Sequence, residues 1–341
     1  MLRVTAYTGG HSVPSARFRV RQYISPLRQY GVDIHERPAR FGSYPPHRRA
    51  LRPIWGALAL GERLAAAAVS HHSDVTLLQR EMISTLATVE RFTKAPRVLD
   101  VDDAIWLLRG GHSACTLARL SDMVICGNAF IAGFFGRHAR TSILPTAVDT
   151  ERFRPSGLRK ARETQIICWS GTSSGFPFLY TIEPQLKVVL RDGPHRRLRI
   201  VSDVHPSLRS ISSEQLEFVR WSQEAEVSAI QDADVAIMPL DDSQWARGKC
   251  GYKLLTYMAC GIPVIASPVG MNEELLADSR PGISARSPRE WTEGLEFLLS
   301  SPDRGSAMGA AGRELVLRQY SLHALTPKLA AILQMTKAAA N

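Results

Sequence analysis

Short apolar runs recur along this chain at a spacing that leaves room for one helix between each pair. Residues 2–7, 31–34, 74–78, 97–101, 123–126 and 141–144 each read as a strand. Between them, 17–30, 58–70, 82–92, 114–120 and 129–135 carry apolar positions at helical spacing, while 41–56 is rich in Pro, Gly and Arg and reads as irregular. Strands separated by helices need crossover connections, which make the strands parallel and cover both faces of the sheet. A polar, basic stretch near 154–163 interrupts the pattern, which then restarts. Strands are expected at 165–169, 198–201, 235–238 and 264–266, with helices at 180–190, 224–229, 252–260, 273–277, 289–300, 303–319 and 322–338. The chain is therefore read as α/β, with two doubly wound parallel-sheet domains in series. Its 341 residues exceed what one ordinary core holds. The expected division is 1–155, a linker at 156–163, 164–320 and a last segment at 321–341.

Composition narrows the setting. The longest apolar stretch, 54–69, is broken by Glu62 and Arg63, so it does not read as a membrane span. Residues 1–7 read as a first strand rather than a secretion signal. The five cysteines, at 115, 126, 168, 250 and 260, are odd in number and lack C-x-x-C spacing. They point to a reducing cytoplasm rather than a disulfide framework or a zinc site. The formal charge is +10, and between Arg17 and Arg63 ten arginines face three acids. That excess is either a solvated basic face or an attraction to anionic lipid headgroups. No nucleic acid is expected, because no recognition motif accompanies the charge.

The ligand end is expected at 246–266. Arg247, Lys249 and Lys253 surround Gly248 and Gly251, and a helix follows from Tyr252 to about Cys260. Gly261 stops that helix and Pro263 follows, before a buried strand. A glycine turn opening a helix offers unsatisfied N–H groups and a partial positive charge, so with three cations it suits a diphosphate. The turn 171–175 (GTSSG) follows the first strand of the second half, and Gly171, Thr172 and Ser173 can cradle a phosphate or simply turn the chain. Gly9 and Gly10 follow the first strand of the first half, where glycines let a substrate approach the backbone. Asp100, Asp102 and Asp103 crowd one strand end, so at least one should have a raised pKa or a cationic neighbour. Arg17 and Arg19 open the first helix and either reach a ligand or form a solvated basic face.

Taken together, these stretches resemble the GT-B glycosyltransferases, and family 4 in particular. The resemblance rests on 257–266 (YMACGIPVIA), 144–155 (LPTAVDTERFRP), 233–240 (ADVAIMPL), Gly312-Arg313 and Tyr320-Ser321. It implies two Rossmann-like domains facing across a cleft, with the last helix crossing back to the first domain. It also implies a retaining, metal-independent transfer from a nucleoside-diphosphate sugar, with no cofactor. The acceptor would be a hydroxyl of a cell-surface polysaccharide or glycolipid. In this family the second domain holds the donor, here through Gly171, Thr172, Ser173, Lys249, Gly251, Thr256 and Glu274. The first domain holds the acceptor, here through Gly9, Gly10, Arg17 and Arg19. Asp102, Asp103, Arg247 and Lys253 are the catalytic candidates, and no metal ligands are expected. Glu274 alternatively only caps the helix expected at 273–277.

The departures from the family pattern are specific. Two family glutamates eight positions apart are replaced by Gly248 and Thr256, and Asp102 stands where a histidine is usual. The usual cations after the first strand of the second domain are missing from 169–175. Two rivals follow: a non-catalytic nucleotide- or glycan-binding protein, and a nucleotide-sugar epimerase. The setting expected is cytoplasmic, with a peripheral membrane contact through the basic 17–63 region.

Overall fold

A computed structural model describes residues 1–157, 163–278 and 280–340, with the side chain of Arg109 left undescribed. The chain divides into two compact units. One comprises Met1–Ala147, Gly248–Cys250 and Leu322–Asn341; the other comprises Val148–Arg247 and Gly251–Ser321. The division falls after Ala147 rather than 155. Of the expected linker 156–163, residues 158–162 lie outside the described residues.

The first unit is built on six parallel strands in the order β2-β1-β3-β4-β5-β6. These are β1 Leu2–Thr8, β2 Val32–Pro38, β3 Val75–Gln79, β4 Arg97–Val101, β5 Met123–Cys126 and β6 Thr141–Ile143. Strand alternation sends Val4, Ala6, Val75, Leu77 and Val98 to one face, and Tyr7, Leu78, Leu99 and Val101 to the other. The first face is closed by Leu325, Leu329 and Leu333 of the Leu322–Ala339 helix.

The second unit repeats the plan with six parallel strands in the order β12-β11-β10-β7-β8-β9. They are β7 Gln165–Ser170, β8 Arg196–Ser202, β9 Leu216–Arg220, β10 Val235–Met238, β11 Val264–Ala266 and β12 Gly282–Ser284. Ile167, Trp169, Val235 and Ile237 line one face, and Ile166, Cys168, Ala236 and Met238 the other. In each sheet the strand order reverses once, between β1 and β3 and between β7 and β10. Ligands of such sheets sit at the carboxyl ends of the strands beside that reversal.

Several local expectations are corrected. Residues 82–92 form no α-helix, only a 3-10 turn at Glu90–Phe92. There the Glu90 carboxylate accepts from the N–H groups of Met82 and Thr88, and Thr85 takes a positive φ of 65°, so an apolar spacing that mimics a helix packs as a loop. The segment 17–30 is broken into Pro14–Arg19, Ile24–Leu27 and two 3-10 turns, with Pro26 unable to donate to a continuous helix. The helix expected from 58 starts at Arg52, where Pro53 suits the first turn. The helix expected over 180–190 is two, Phe176–Tyr180 and Glu183–Arg191. The one expected at 273–277 runs Met271–Leu275. The short strands β9 and β12 and the Gln244–Arg247 helix carry too few periodic residues to show in the sequence.

Candidate active site

In the second unit, the site grows from β7. Trp169, near the end of that strand, is 2% exposed, and Lys253 extends over its ring with Nζ 4.4 Å from the centroid. Lys253 belongs to the Tyr252–Ala259 helix, whose N-cap is Gly251 in the left-handed region at φ 62°. The ammonium enters the glycine turn after β7: a Cβ added at Gly171 would collide with Lys253 Nζ, and one at Gly175 would lie 3.3 Å from it. A side chain at either glycine would therefore crowd the cation or the Trp169 ring beneath it. The ammonium and the Thr172 and Ser174 hydroxyls, which bond each other at 2.7 Å, share one turn. The cation at the Gly171–Gly175 turn thus comes from 82 positions after Gly171 in the chain.

Two residues that the sequence reading passed over hold this turn. Asp203 accepts from the Ser173 N–H at 2.6 Å, the Ser173 hydroxyl at 3.1 Å and the Ser202 hydroxyl at 3.0 Å. Desolvation raises its carboxyl, but these donors outweigh that and hold its pKa below the ordinary carboxylate value. Tyr257 Oη accepts from the Ser170 N–H at 2.8 Å and fixes the end of β7. The signals were present, in a Ser-Asp pair at a strand end and a Tyr one turn after Lys253.

Four donor-side expectations change. Ser173 directs both its N–H and its hydroxyl to Asp203, so it anchors the turn. Gly171 N–H is bonded to Val201 O at 3.0 Å, so the contribution of Gly171 is space. Thr256 is 2% exposed and donates to Lys253 O at 2.7 Å, a bond within its own helix, which removes it as a ligand contact. Arg247 is an exposed residue already bidentate to Asp242, at 2.7 and 2.8 Å, and would have to exchange that carboxylate for a diphosphate. Its main chain has a separate role: Gly270, at φ 55°, approaches so closely that an added Cβ would lie 2.7 Å from Arg247 O. Glu274 is exposed in the first turn of the Met271–Leu275 helix.

In the first unit, the acid cluster at the end of β4 is a charge network. Arg19 is 2% exposed and donates to both Asp100 oxygens, at 2.9 and 2.7 Å, and to Leu144 O at 2.9 Å. It is a buried tie, not a ligand contact. Burial pushes the Asp100 carboxyl up, against the pull of Arg19. Arg80, at an unusual φ of 61°, donates to Asp102 at 2.7 Å and to Asp103 at 2.6 Å. Lys249 Nζ donates to Asp103 at 3.0 Å. Burial alone would raise Asp103, but Arg80 and Lys249 prevail and keep its pKa below the ordinary value. Lys249 is thus paired with Asp103. Arg80 was missed, although it directly follows a buried strand.

Residues 248–250 are fitted closely into this network. Cys250 Sγ donates to Asp102 O at 3.1 Å, and Asn128 Nδ2 donates to Lys249 O at 3.0 Å. A Cβ at Gly248 would lie 2.6 Å from Ala104 Cβ and 2.9 Å from Ala104 N. Position 248 therefore has no room for a side chain without a shift of Ala104. A small open pocket of mixed lining lies beside the network, walled by Gly9, Val13, Tyr44, Gln79, Arg80 and Ile105 among others. It lies at the carboxyl ends of β1 and β3, where the strand order reverses. Gly9 lines that pocket, and a Cβ there would lie 2.8 Å from Ser43 Oγ. Gly10, at φ 130°, turns the chain, and Arg17 is half-buried. Among the described residues no group of three or more His, Cys, Asp or Glu is arranged to hold a metal.

This architecture is that of a two-domain α/β protein with the GT-B fold. It superimposes on sucrose-phosphate synthase from Thermosynechococcus elongatus with a TM-score of 0.72 at 15% identity, over 99% of this chain and 100% of that one. It likewise matches Anabaena HepE, solved with UDP and glucose, with a TM-score of 0.68 at 12% identity, over 97% and 99% of the two chains. Residues 172–301 match the family Glycosyl transferases group 1. A GDP-mannose-dependent alpha-(1-6)-phosphatidylinositol monomannoside mannosyltransferase of Mycobacterium tuberculosis is 29% identical over 241 residues, 61% of this chain. That match spans 59% of the relative's own length.

Proposed function

We propose that this protein is a retaining glycosyltransferase that moves a sugar from a nucleoside-diphosphate donor to a hydroxyl of a glycan or glycolipid, without a metal or cofactor. The observation that carries the reading is Lys253, held over Trp169 and aimed into the Gly171–Gly175 turn, within the segment that matches the group 1 glycosyltransferases. Breaking the glycosidic bond leaves negative charge on the departing diphosphate, and a preorganised ammonium stabilises it as it forms. Thr172, Gly251 and Glu274 would complete the donor side; Gly9 and Gly10 would admit the acceptor, with Asp102 or Asp103 at its hydroxyl. The relatives' names support a nucleotide-sugar donor, and the mycobacterial one supports a lipid-linked acceptor. The protein would act at the cytoplasmic face of a membrane, as a peripheral protein. Among the described residues no helix is long and apolar enough to cross one.

A second reading, a nucleotide-binding protein without turnover, is favoured by one observation: Gly248 is packed on Ala104 where the family keeps a carboxylate. The test is release of nucleoside diphosphate from a panel of UDP-, GDP- and ADP-sugars, with and without lipid and glycan acceptors. Turnover with any donor supports the transferase. Nucleotide binding with no turnover supports the second reading.

A further inference from the structure

The Arg52–Val69 helix is turned inside out for a water-soluble protein. Its buried face is made of Ala59, Arg63 and Ala67, so its one fully buried large side chain is a cation. Arg63 is 1% exposed; it donates to Arg37 O at 3.1 Å and Thr8 O at 3.0 Å, and lies 3.3 Å from Glu62. The opposite face is open, and Ile54, Leu58 and Leu64 are 63%, 49% and 50% exposed. Between Pro53 and Val69 the only charged residues are Glu62 and Arg63, so this open stripe carries no charge at all. A soluble helix normally shows the reverse pattern.

The segment leading into the helix continues the surface. Trp55 Nε1 donates to Phe41 O at 2.9 Å and Arg52 Nε to Pro46 O at 3.1 Å, which ties this loop to the helix. Phe41, Tyr44 and Leu51 are each about half exposed, at 47%, 54% and 48%. Around them stand Arg40, Arg48, Arg49 and Arg52, all exposed, with no acid between Pro38 and Gly61. The other cations of the basic 17–63 region are partly consumed within the fold: Arg19 by Asp100, Arg21 by Glu36 and Arg63 by backbone carbonyls.

We infer that the Arg52–Val69 helix and the 40–51 loop form a docking face for the surface of an anionic lipid bilayer. The helix would lie in the plane of the interface, with Ile54, Leu58 and Leu64 in the acyl boundary and the four arginines on headgroup phosphates. Charge selects this occupant over a second copy of the chain, because two copies would bring eight arginines together with no acid between them. Tyr44 belongs both to this face and to the wall of the pocket beside Arg80, so a headgroup entering from the bilayer would meet Arg80 and Gly9. That last link rests on the transferase reading; the docking face itself does not.

The test is flotation with vesicles of phosphatidylcholine alone and of phosphatidylcholine with one-third phosphatidylglycerol. The protein should float with the anionic vesicles and stay largely behind with the neutral ones. Leu58→Glu/Leu64→Glu and, separately, Arg48→Glu/Arg49→Glu should each weaken anionic binding by about tenfold or more. These side chains are exposed, so circular dichroism and melting should match the parent. Equal flotation with both vesicles, or unchanged binding by the leucine variant, overturns the proposal. So does a parent that is dimeric by analytical ultracentrifugation while the leucine variant is monomeric, since a second copy would then be the occupant. Nucleotide-diphosphate release with a soluble donor, assayed without lipid, should be unchanged in both variants, so failure of the membrane inference and of the transferase reading are separable.

Discussion

Replacing Lys253 by Met removes the ammonium while keeping an unbranched stem over Trp169. A charge-assisted hydrogen bond to a phosphate contributes about 1.5–3 kcal/mol. The bare Coulomb attraction at about 4 Å, with an effective dielectric near 20, is about 4 kcal/mol and sets an upper bound. Lys253 is half-buried, so the lower range applies. At about 1.4 kcal/mol per factor of ten, the Kd for a nucleoside diphosphate should rise roughly 10- to 100-fold. Affinity for the matching nucleoside should hold, because the nucleoside has no group for the cation. The fold should survive, since the lost cation–π contact is worth only about 0.5–1 kcal/mol. Lys253→Arg keeps the charge, but its broader fork does not fit between Gly171 and Gly175, so it should recover only part of the affinity. Isothermal titration of UDP, GDP and ADP against their nucleosides decides the matter. Equal weakening of nucleoside and diphosphate, or none for the diphosphate, would refute the phosphate role.

Gly171→Val should displace Lys253 from its seat and reproduce the loss of diphosphate affinity; unchanged titration would mean that the glycine merely turns the chain. Gly248→Glu should cost about 1–3 kcal/mol through the clash with Ala104, visible as a lowered melting temperature. An undisturbed melt with gained activity would show that the loop can open there. Arg19→Met leaves Asp100 buried without its cation and should destabilise by about 3–5 kcal/mol, much of it recovered in the double variant Arg19→Met/Asp100→Leu. In acid, Asp103 sets a direction. Its native pKa lies below the unfolded one, so its contribution is present above the unfolded pKa and is lost as pH falls through the native value. Asp103→Asn should therefore flatten the acid limb of the stability profile, as read by urea titration; a limb of unchanged slope would refute this.

Much of the fold is legible in the chain because its determinants are local. An apolar run of four to six residues with turn signals at its ends has few alternatives to a buried strand, and β1, β4, β7, β8 and β10 stand where such runs occur. Their alternation with helical spacing determines that the strands are parallel. The glycines at 171, 175 and 251 mark a turn for a cation and its helix, and the resemblance at 257–266 pointed to the donor loop. What the tertiary structure alone decided is which charges meet. Arg19 and Asp100 are 81 positions apart, and Lys253 lies 82 from Gly171, so no local pattern distinguishes a buried tie from a ligand contact. The same limit applies at 82–92 and 52–69. Apolar spacing reports where side chains fall around an axis, but not which side the rest of the protein covers. At 52–69 the covered side is the one with Arg63, and the apolar stripe is left outside. Local sequence sets periodicity; burial is decided by the long-range contacts that compete for each face.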